Sequence, residues 1–146
     1  MNEKFMKIAQ KLALTSNGDI PVGAVIVKND EILAIACNEK EKTNDVTAHA
    51  EILAIKKASH MLNNWRLEEC ELYVTLEPCP MCAWAILQSR LKSVYFGSYD
   101  NLYGAFGSKI NLAQYSNSKI TIKGGISEEE CDKILKDFFK KVRNDY

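Results

Sequence analysis

The sequence has no long apolar run: no stretch reaches the roughly 20 consecutive apolar residues that a membrane-crossing helix requires. Nor does the start read as an export signal, because Met1-Asn-Glu-Lys-Phe-Met-Lys7 passes straight into a mixed polar and apolar helical pattern. Cytoplasmic residence without membrane attachment is the expectation. Charge of one sign is absent as well, since nineteen Lys and Arg face nineteen Asp and Glu for a net charge of zero. The total therefore does not carry the signature of a strongly basic nucleic-acid-binding domain. Cysteines number five, an odd count that suits thiols or metal ligands in a reducing compartment better than a disulfide framework. Repeats, low-complexity tracts and linkers are lacking, so residues 1–146 are expected to fold as one layered α/β domain.

What is present alternates between two periodicities. Phe5, Ile8, Ala9, Leu12 and Ala13 recur at helical spacing, which predicts an amphipathic helix over Glu3 to Thr15, stopped by Gly18. Val22 to Val27 and Glu31 to Cys37 read as strands, joined at Lys28-Asn29-Asp30 by a connection of hairpin length and hence antiparallel. A helix is expected from Thr47, acting as its cap, to Ala58, with His49 and Glu51 in its first turn. Glu71 to Thr75 is a further strand, followed by a tight turn and a helical stretch from Ala83 to Ser89. Ser93 to Gly97 reads as a buried strand, Ser98 to Ser108 as a Gly- and Tyr-rich loop, and Lys119 to Lys123 as a last strand. Gly124-Gly125 breaks it, and Ser127-Glu-Glu-Glu130 offers a capping box to a final helix running towards Arg143.

The chemistry concentrates in His49-Ala50-Glu51 and Pro78-Cys79-Pro80-Met81-Cys82. Imidazole and thiolate are favoured zinc ligands, and a Cys-x-x-Cys turn can aim two sulfurs at one tetrahedral ion. Three protein ligands leave a corner for water, and zinc lowers the pKa of that water from about 15.7 to about 7. Pro80 suits the first turn of a helix, which places Cys79 and Cys82 at a helix amino end where unpaired N–H groups favour thiolate. His49 and Glu51 also open a helix, so both can address a site lying beyond its end. Glu51 is the candidate proton shuttle beside the metal.

The pairing of His49-Ala-Glu51 with Pro78-Cys-Pro-Met-Cys82 resembles the cytidine deaminase superfamily. Pro21-Val-Gly-Ala-Val-Ile-Val27, Thr47-Ala-His-Ala-Glu-Ile52, Arg66-Leu67, Leu72-Tyr-Val-Thr-Leu-Glu-Pro-Cys79 and Phe138-Phe139 resemble the bacterial tRNA adenosine deaminases in particular, over nearly the whole chain from Asp19 onward. That resemblance implies a three-layer fold with a five-stranded mixed sheet flanked by helices. It implies one Zn2+ per subunit held by His49, Cys79 and Cys82, and hydrolysis of a wobble adenosine in a tRNA anticodon loop to inosine by a homodimer. By the same likeness Asn38 hydrogen-bonds the bound base and Asp100 approaches its ribose. Trp84 stands where those enzymes usually have Gly, Val46 where they have Pro, and Pro80 where Val is common. Pro-Cys-Pro-Met-Cys is also similar to purine-base deaminases of the guanine type, so a free nucleobase or nucleoside is the alternative substrate. A non-catalytic, zinc-stabilised RNA-binding module is the third reading.

The remaining candidates have plainer explanations. Cys37, Cys70 and Cys131 sit in or beside apolar runs and read as small core residues, and His60 as a surface side chain. Tyr99, Tyr103 and Phe106 can stack on nucleotides or simply pin their loop. Lys133, Lys136, Lys140, Lys141 and Arg143 share their helix with enough acidic residues to form an ordinary solvated face.

Overall fold

Strand β3 (Cys70–Leu76) lies at the centre of the sheet because its residues are apolar in both directions. Leu72 and Val74 point into one core cluster while Tyr73 points into the other, on the opposite face. β1 (Gly23–Lys28) divides in the same way, Ala24 and Ile26 to one side and Val25 and Val27 to the other. β4 (Ser93–Ser98) repeats the pattern with Val94 and Phe96 against Tyr95. Strands that are buried on both faces need helices on both faces. The computed structural model, which describes residues 1–144, meets that requirement with helices on each side of a five-stranded sheet of order β2-β1-β3-β4-β5.

The sheet is mixed, as expected. β2 (Glu31–Cys37) pairs antiparallel with β1 through a two-residue turn in which Asn29 and Asp30 take φ of 50° and 62°. Two left-handed residues in succession match the twist of a hairpin, and Asn and Asp tolerate them. β1 also runs antiparallel to β3, whereas β3, β4 and the short β5 (Thr121–Lys123) are parallel. The parallel strands end on the same edge of the molecule. In open α/β sheets that carboxyl edge is where ligands bind.

One face carries α1 (Glu3–Ala13) and α5 (Glu128–Asn144). The Asn2 side chain accepts the Lys4 N–H, and α1 packs Phe5, Met6 and Ala9 against Val25 and Tyr73, with Ala13 also buried at its end. Each large apolar side chain so buried contributes about 1.5–3 kcal/mol. The Tyr73 hydroxyl is not left alone in this core, because it accepts the Asn2 N–H at 2.8 Å. The other face carries α3 (Ala50–Leu62) and α4 (Pro80–Gln88). Ala50, Ala54 and Ala58 recur every four residues along α3, and this strip of small side chains lets the helix lie close on β1 and β2.

Several boundaries differ from the sequence expectation. α1 ends at Ala13, and Gly18 instead adopts φ 85° in the loop beyond. Thr47 does not cap α3: its hydroxyl donates to Asp45, and His49 occupies the N-cap position. Ser127 has φ 52°, outside the extended conformation of a capping serine, so the proposed capping box at α5 is not formed in that way. A four-residue helix α2 (Lys40–Thr43) and a 3-10 turn at Leu112–Tyr115 were not foreseen. Neither has the length to show periodicity. No helix among the described residues is long and apolar enough to cross a membrane.

Gly23 is where α1 approaches the sheet most closely, and a side chain there collides with the Ala9 carbonyl and with the backbone of Ala13. Rigid backbone on both sides cannot yield as a flexible side chain would. Gly23→Ala is therefore expected to cost about 1–3 kcal/mol by overpacking. Thermal unfolding followed by circular dichroism will show it as a fall of several degrees in midpoint, and an unchanged midpoint contradicts the close approach.

Candidate active site

Two helices begin at the same place. β2 ends at Cys37, and the chain returns through α2 to enter α3 at Ala50, with His49 as its N-cap. β3 ends at Leu76, and Glu77-Pro78-Cys79 turns the chain into α4, with Cys79 as N-cap and Pro80 in the first turn. Proline is at home there because its missing N–H is one that the helix start leaves unpaired anyway. Cys82 follows three residues later, fully buried, and Glu51 in the first turn of α3 is 4% exposed.

The ligand atoms of His49, Cys79 and Cys82 lie within 4.8 Å of one another. His49 Nδ1 is 3.4 Å from Cys82 Sγ and 3.7 Å from Cys79 Sγ. A tetrahedral zinc, with bonds of about 2.0–2.1 Å to nitrogen and about 2.3 Å to sulfur, requires such edges to be roughly 3.5 Å. The donor set therefore fits zinc in both chemistry and spacing. Among the described residues no fourth His, Cys or carboxylate joins the group. A coordination position is thus left for something other than protein.

Electrostatics support the same reading. The neighbouring Cys82 sulfhydryl, with help from His49, draws Cys79 down to about 4. Cys82 correspondingly moves up, as the partner that keeps the proton next to a thiolate in a buried setting. The hydrogen bond to Cys79 raises His49. Thiols bind a dication as thiolates, so a metal entering this cluster displaces the proton that Cys82 holds. Burial pushes Glu51 up to about 7, opposed by its own backbone N–H and by His49.

A cavity of about 470 Å³ opens over this cluster. His49, Glu51 and Cys79 line it, together with both weaker candidates, Asn38 and Asp100. Asn38 proves to be a cap as well as a cavity residue. Its Oδ1 accepts the Ala50 N–H at 2.8 Å, and its Nδ2 donates to the Ile20 carbonyl at 2.9 Å. Each end of the amide keeps one further hydrogen-bonding position for a ligand. Asp100 uses Oδ1 to accept the N–H groups of Leu102 and Tyr103 at 3.0 and 3.1 Å. Its second oxygen is not engaged by these bonds.

Sequence reasoning missed Asp19, Lys40 and Glu77, all of which line the cavity, and left Tyr103 undecided although it lines it too. Glu77 had a visible signal: a charged residue closing an apolar strand two positions before a metal ligand. Of the other aromatics, Tyr99 packs edge-on against Phe96 and Phe106 is buried, so both pin the loop. Trp84 does not reach the cavity. It is 41% exposed and lines a separate groove of about 650 Å³ with Trp65, Arg90 and Tyr115. Cys70 and Cys131 are buried and His60 is exposed, all apart from the metal cluster.

Comparison with known proteins agrees with this geometry. Residues 1–98 match the family model of the cytidine and deoxycytidylate deaminase zinc-binding region. The chain is 44% identical to the tRNA-specific adenosine deaminase of Bacillus subtilis (strain 168), over 97% of this chain and 91% of that one. It is also 44% identical to the tRNA-specific adenosine deaminase of Aquifex aeolicus (strain VF5), over 97% and 96% respectively. A solved structure from studies of A-to-I editing by tRNA:A34 deaminases at the wobble position of transfer RNA superposes with a TM-score of 0.89 at 36% identity, covering 92% of this chain and 100% of that one. A guanine deaminase from Bacillus subtilis gives a TM-score of 0.64 at 46% identity, over 68% of this chain and 66% of its own. With its zinc-ligand cluster at two helix starts and its length matched by these relatives, the chain belongs to the cytidine and deoxycytidylate deaminase family, among the tRNA-specific adenosine deaminases.

Proposed function

We propose that residues 1–146 form a single zinc-dependent deaminase domain that converts the wobble adenosine of a tRNA to inosine by hydrolysis. One observation carries the catalytic part: a buried carboxylate, Glu51, shares a cavity with a three-ligand zinc site that has no fourth protein donor among the described residues. A structural zinc site has no use for such a carboxylate. The substrate is supported by the 44% identity to tRNA-specific adenosine deaminases over nearly the full length of this chain.

His49, Cys79 and Cys82 hold the metal in this reading. Bound zinc supplies the Lewis acidity that makes water a nucleophile near neutral pH. Glu51 takes a proton from the attacking water as its oxygen bonds to C6 of adenine. It passes that proton to the neighbouring ring nitrogen, then takes the second proton from the new C6 hydroxyl and delivers it to the amino group, so that the C6–N bond breaks as the C6 carbonyl forms and ammonia leaves. Adenosine and water become inosine and ammonia. Burial suits Glu51 to both halves of this work, because a carboxyl that binds its proton near neutrality can accept and donate in turn. The Asn38 amide addresses the base with its remaining positions, and Asp100 addresses the ribose with its second oxygen. The five cysteines are unpaired, in keeping with a cytoplasmic enzyme. The half-exposed Trp84 and Trp65 beside α4 offer apolar surface for a second copy, which supports a homodimer.

An anticodon stem-loop with adenosine at the wobble position, assayed for inosine beside free guanine, cytosine and cytidine assayed for ammonia, tests the substrate. Inosine in the RNA alone is expected. Turnover of a free base alone reassigns the enzyme to the purine- or pyrimidine-base deaminases, and RNA binding without turnover reduces it to a binding module. Glu51→Gln is expected to retain about one zinc per chain by elemental analysis while its turnover falls by roughly 10²–10⁴-fold, the usual worth of a positioned acid–base group. An active Glu51→Gln enzyme rules the shuttle out. Removing the metal with a chelator is expected to abolish activity and lower the unfolding midpoint, because an ion bound only by the folded state stabilises it. Re-addition of zinc should restore both, and His49→Ala should bind no zinc in parallel dialysis.

A further inference from the structure

Glu77 is an acidic side chain that is 2% exposed, in the turn that delivers the metal ligand Cys79. Among the described residues no cationic side chain pairs with it. Every donor its carboxylate receives comes from one loop: Oε1 accepts the Asp100 N–H at 3.1 Å and the Ser108 hydroxyl, and Oε2 accepts the Phe106 and Ser108 N–H groups, both at 3.1 Å. Its own N–H donates to the Ser98 carbonyl at 2.8 Å, at the end of β4 where that loop begins. The loop closes tightly over the carboxylate at Gly104, where any side chain collides with Glu77 and with the Asp100 carbonyl. Further on, the Ala105 N–H returns to the Pro78 carbonyl at 2.9 Å, one residue from Cys79.

Four donors converging on one group require a carboxylate, since an amide oxygen accepts only two and its nitrogen faces further N–H groups. Asp100 hangs from this anchor by its N–H, and its Oδ1 in turn sets the Leu102–Tyr103 turn. Asp100 and Tyr103 are the two residues of the loop that line the cavity. We infer that Glu77 is a positioning residue for ribose recognition: it ties the Asp100–Ser108 loop to the metal-ligand turn, so that the free oxygen of Asp100 meets the sugar of a base seated over the zinc. The inference rests on the reading of Asp100 given above. Its alternative is a carboxylate that only holds the fold together.

The ratio of kcat/KM for a stem-loop with adenosine at the target position to that for the same stem-loop with 2′-deoxyadenosine there separates the two. Loss of folded enzyme lowers both values and leaves the ratio alone, whereas a displaced Asp100 lowers it. Glu77→Gln is expected to keep about one zinc per chain, raise KM for the ribose substrate by roughly tenfold, the scale of a lost charge-assisted hydrogen bond, and bring the ratio near one. Asp100→Ala should do the same, and Glu77→Gln combined with Asp100→Ala should be no worse than Asp100→Ala alone. Ser108→Ala, which removes one donor to the anchor, the hydroxyl, outside the cavity lining and leaves the Ser108 N–H in place, should shift the ratio the same way by less, and keeps the question open to test should Glu77→Gln fold poorly. If Asp100→Ala collapses the ratio but Glu77→Gln and Ser108→Ala leave it unchanged, or if the effects multiply, the positioning role is overturned. If Asp100→Ala itself leaves the ratio unchanged, the ribose reading of Asp100 fails first.

Discussion

The convergence of one imidazole and two sulfurs holds this architecture to its shape. His49 and Cys82 are thirty-three residues apart in sequence, yet their ligand atoms are 3.4 Å apart. Nothing local can do that. It requires α3 and α4 to start side by side, and hence β1 and β3 to be neighbours in the sheet, so that the segments leaving β2 and β3 arrive at one edge. The helix starts are also the right places electrostatically. Unpaired N–H groups there favour the thiolate of Cys79 and tolerate a carboxylate in the first turn of α3.

The strip of alanines in α3 and the absence of a side chain at Gly23 belong to the same constraint. α3 can bring Ala50, and with it His49, close to the sheet only because Ala54 and Ala58 are small. On the opposite face, α1 seats against β1 at Gly23, and the adjoining strand β3 carries Tyr73 into that core. Thr75 links the two strands near the site by accepting the Gly23 N–H on its hydroxyl at 3.2 Å. Small residues and satisfied polar groups thus fix the strand ends from which the ligand turns depart.

Much of this was legible before any coordinates. The His-x-Glu and Cys-x-x-Cys pairs, the proline in the first turn of α4 and the alternation of the strands each state a local preference that the fold obeys. What stayed hidden was long-range polar satisfaction. Thr47 has the composition of a helix cap, but its hydroxyl finds Asp45, and the free Ala50 N–H is taken by Asn38 from twelve residues away. Glu77 looks from the sequence like a charged residue at a strand end. Only the folded loop brings it the donors of Asp100, Phe106 and Ser108. Propensity ranks a residue by its neighbours in sequence, and these partners are neighbours only in space.

The neutral total charge also finds its place in this geometry. A bound dication cancels two thiolates and holds His49 neutral, which leaves Glu51, Asp19, Glu77 and Asp100 around the cavity against Lys40. Asp19 and Glu77 spend their charge on backbone N–H groups, Asp19 by accepting from Glu41 with both oxygens at 3.3 and 3.1 Å. The space that remains is acidic at its floor and lined by amide, carboxylate and hydroxyl groups. A phosphate placed there loses its hydration without gaining enough cationic partners, and that cost is large for a buried unpaired charge. A neutral heterocycle loses little, and on the proposed reading it gains the hydrogen bonds that Asn38 and Asp100 have left over. In the proposed function the cavity takes a base and its sugar and leaves the phosphodiester outside, and the exposed Lys40 is the lining cation nearest in character to a phosphate partner. Recognition of this kind draws its specificity from a flipped nucleotide rather than from a basic surface, and a chain with no net charge can accomplish it.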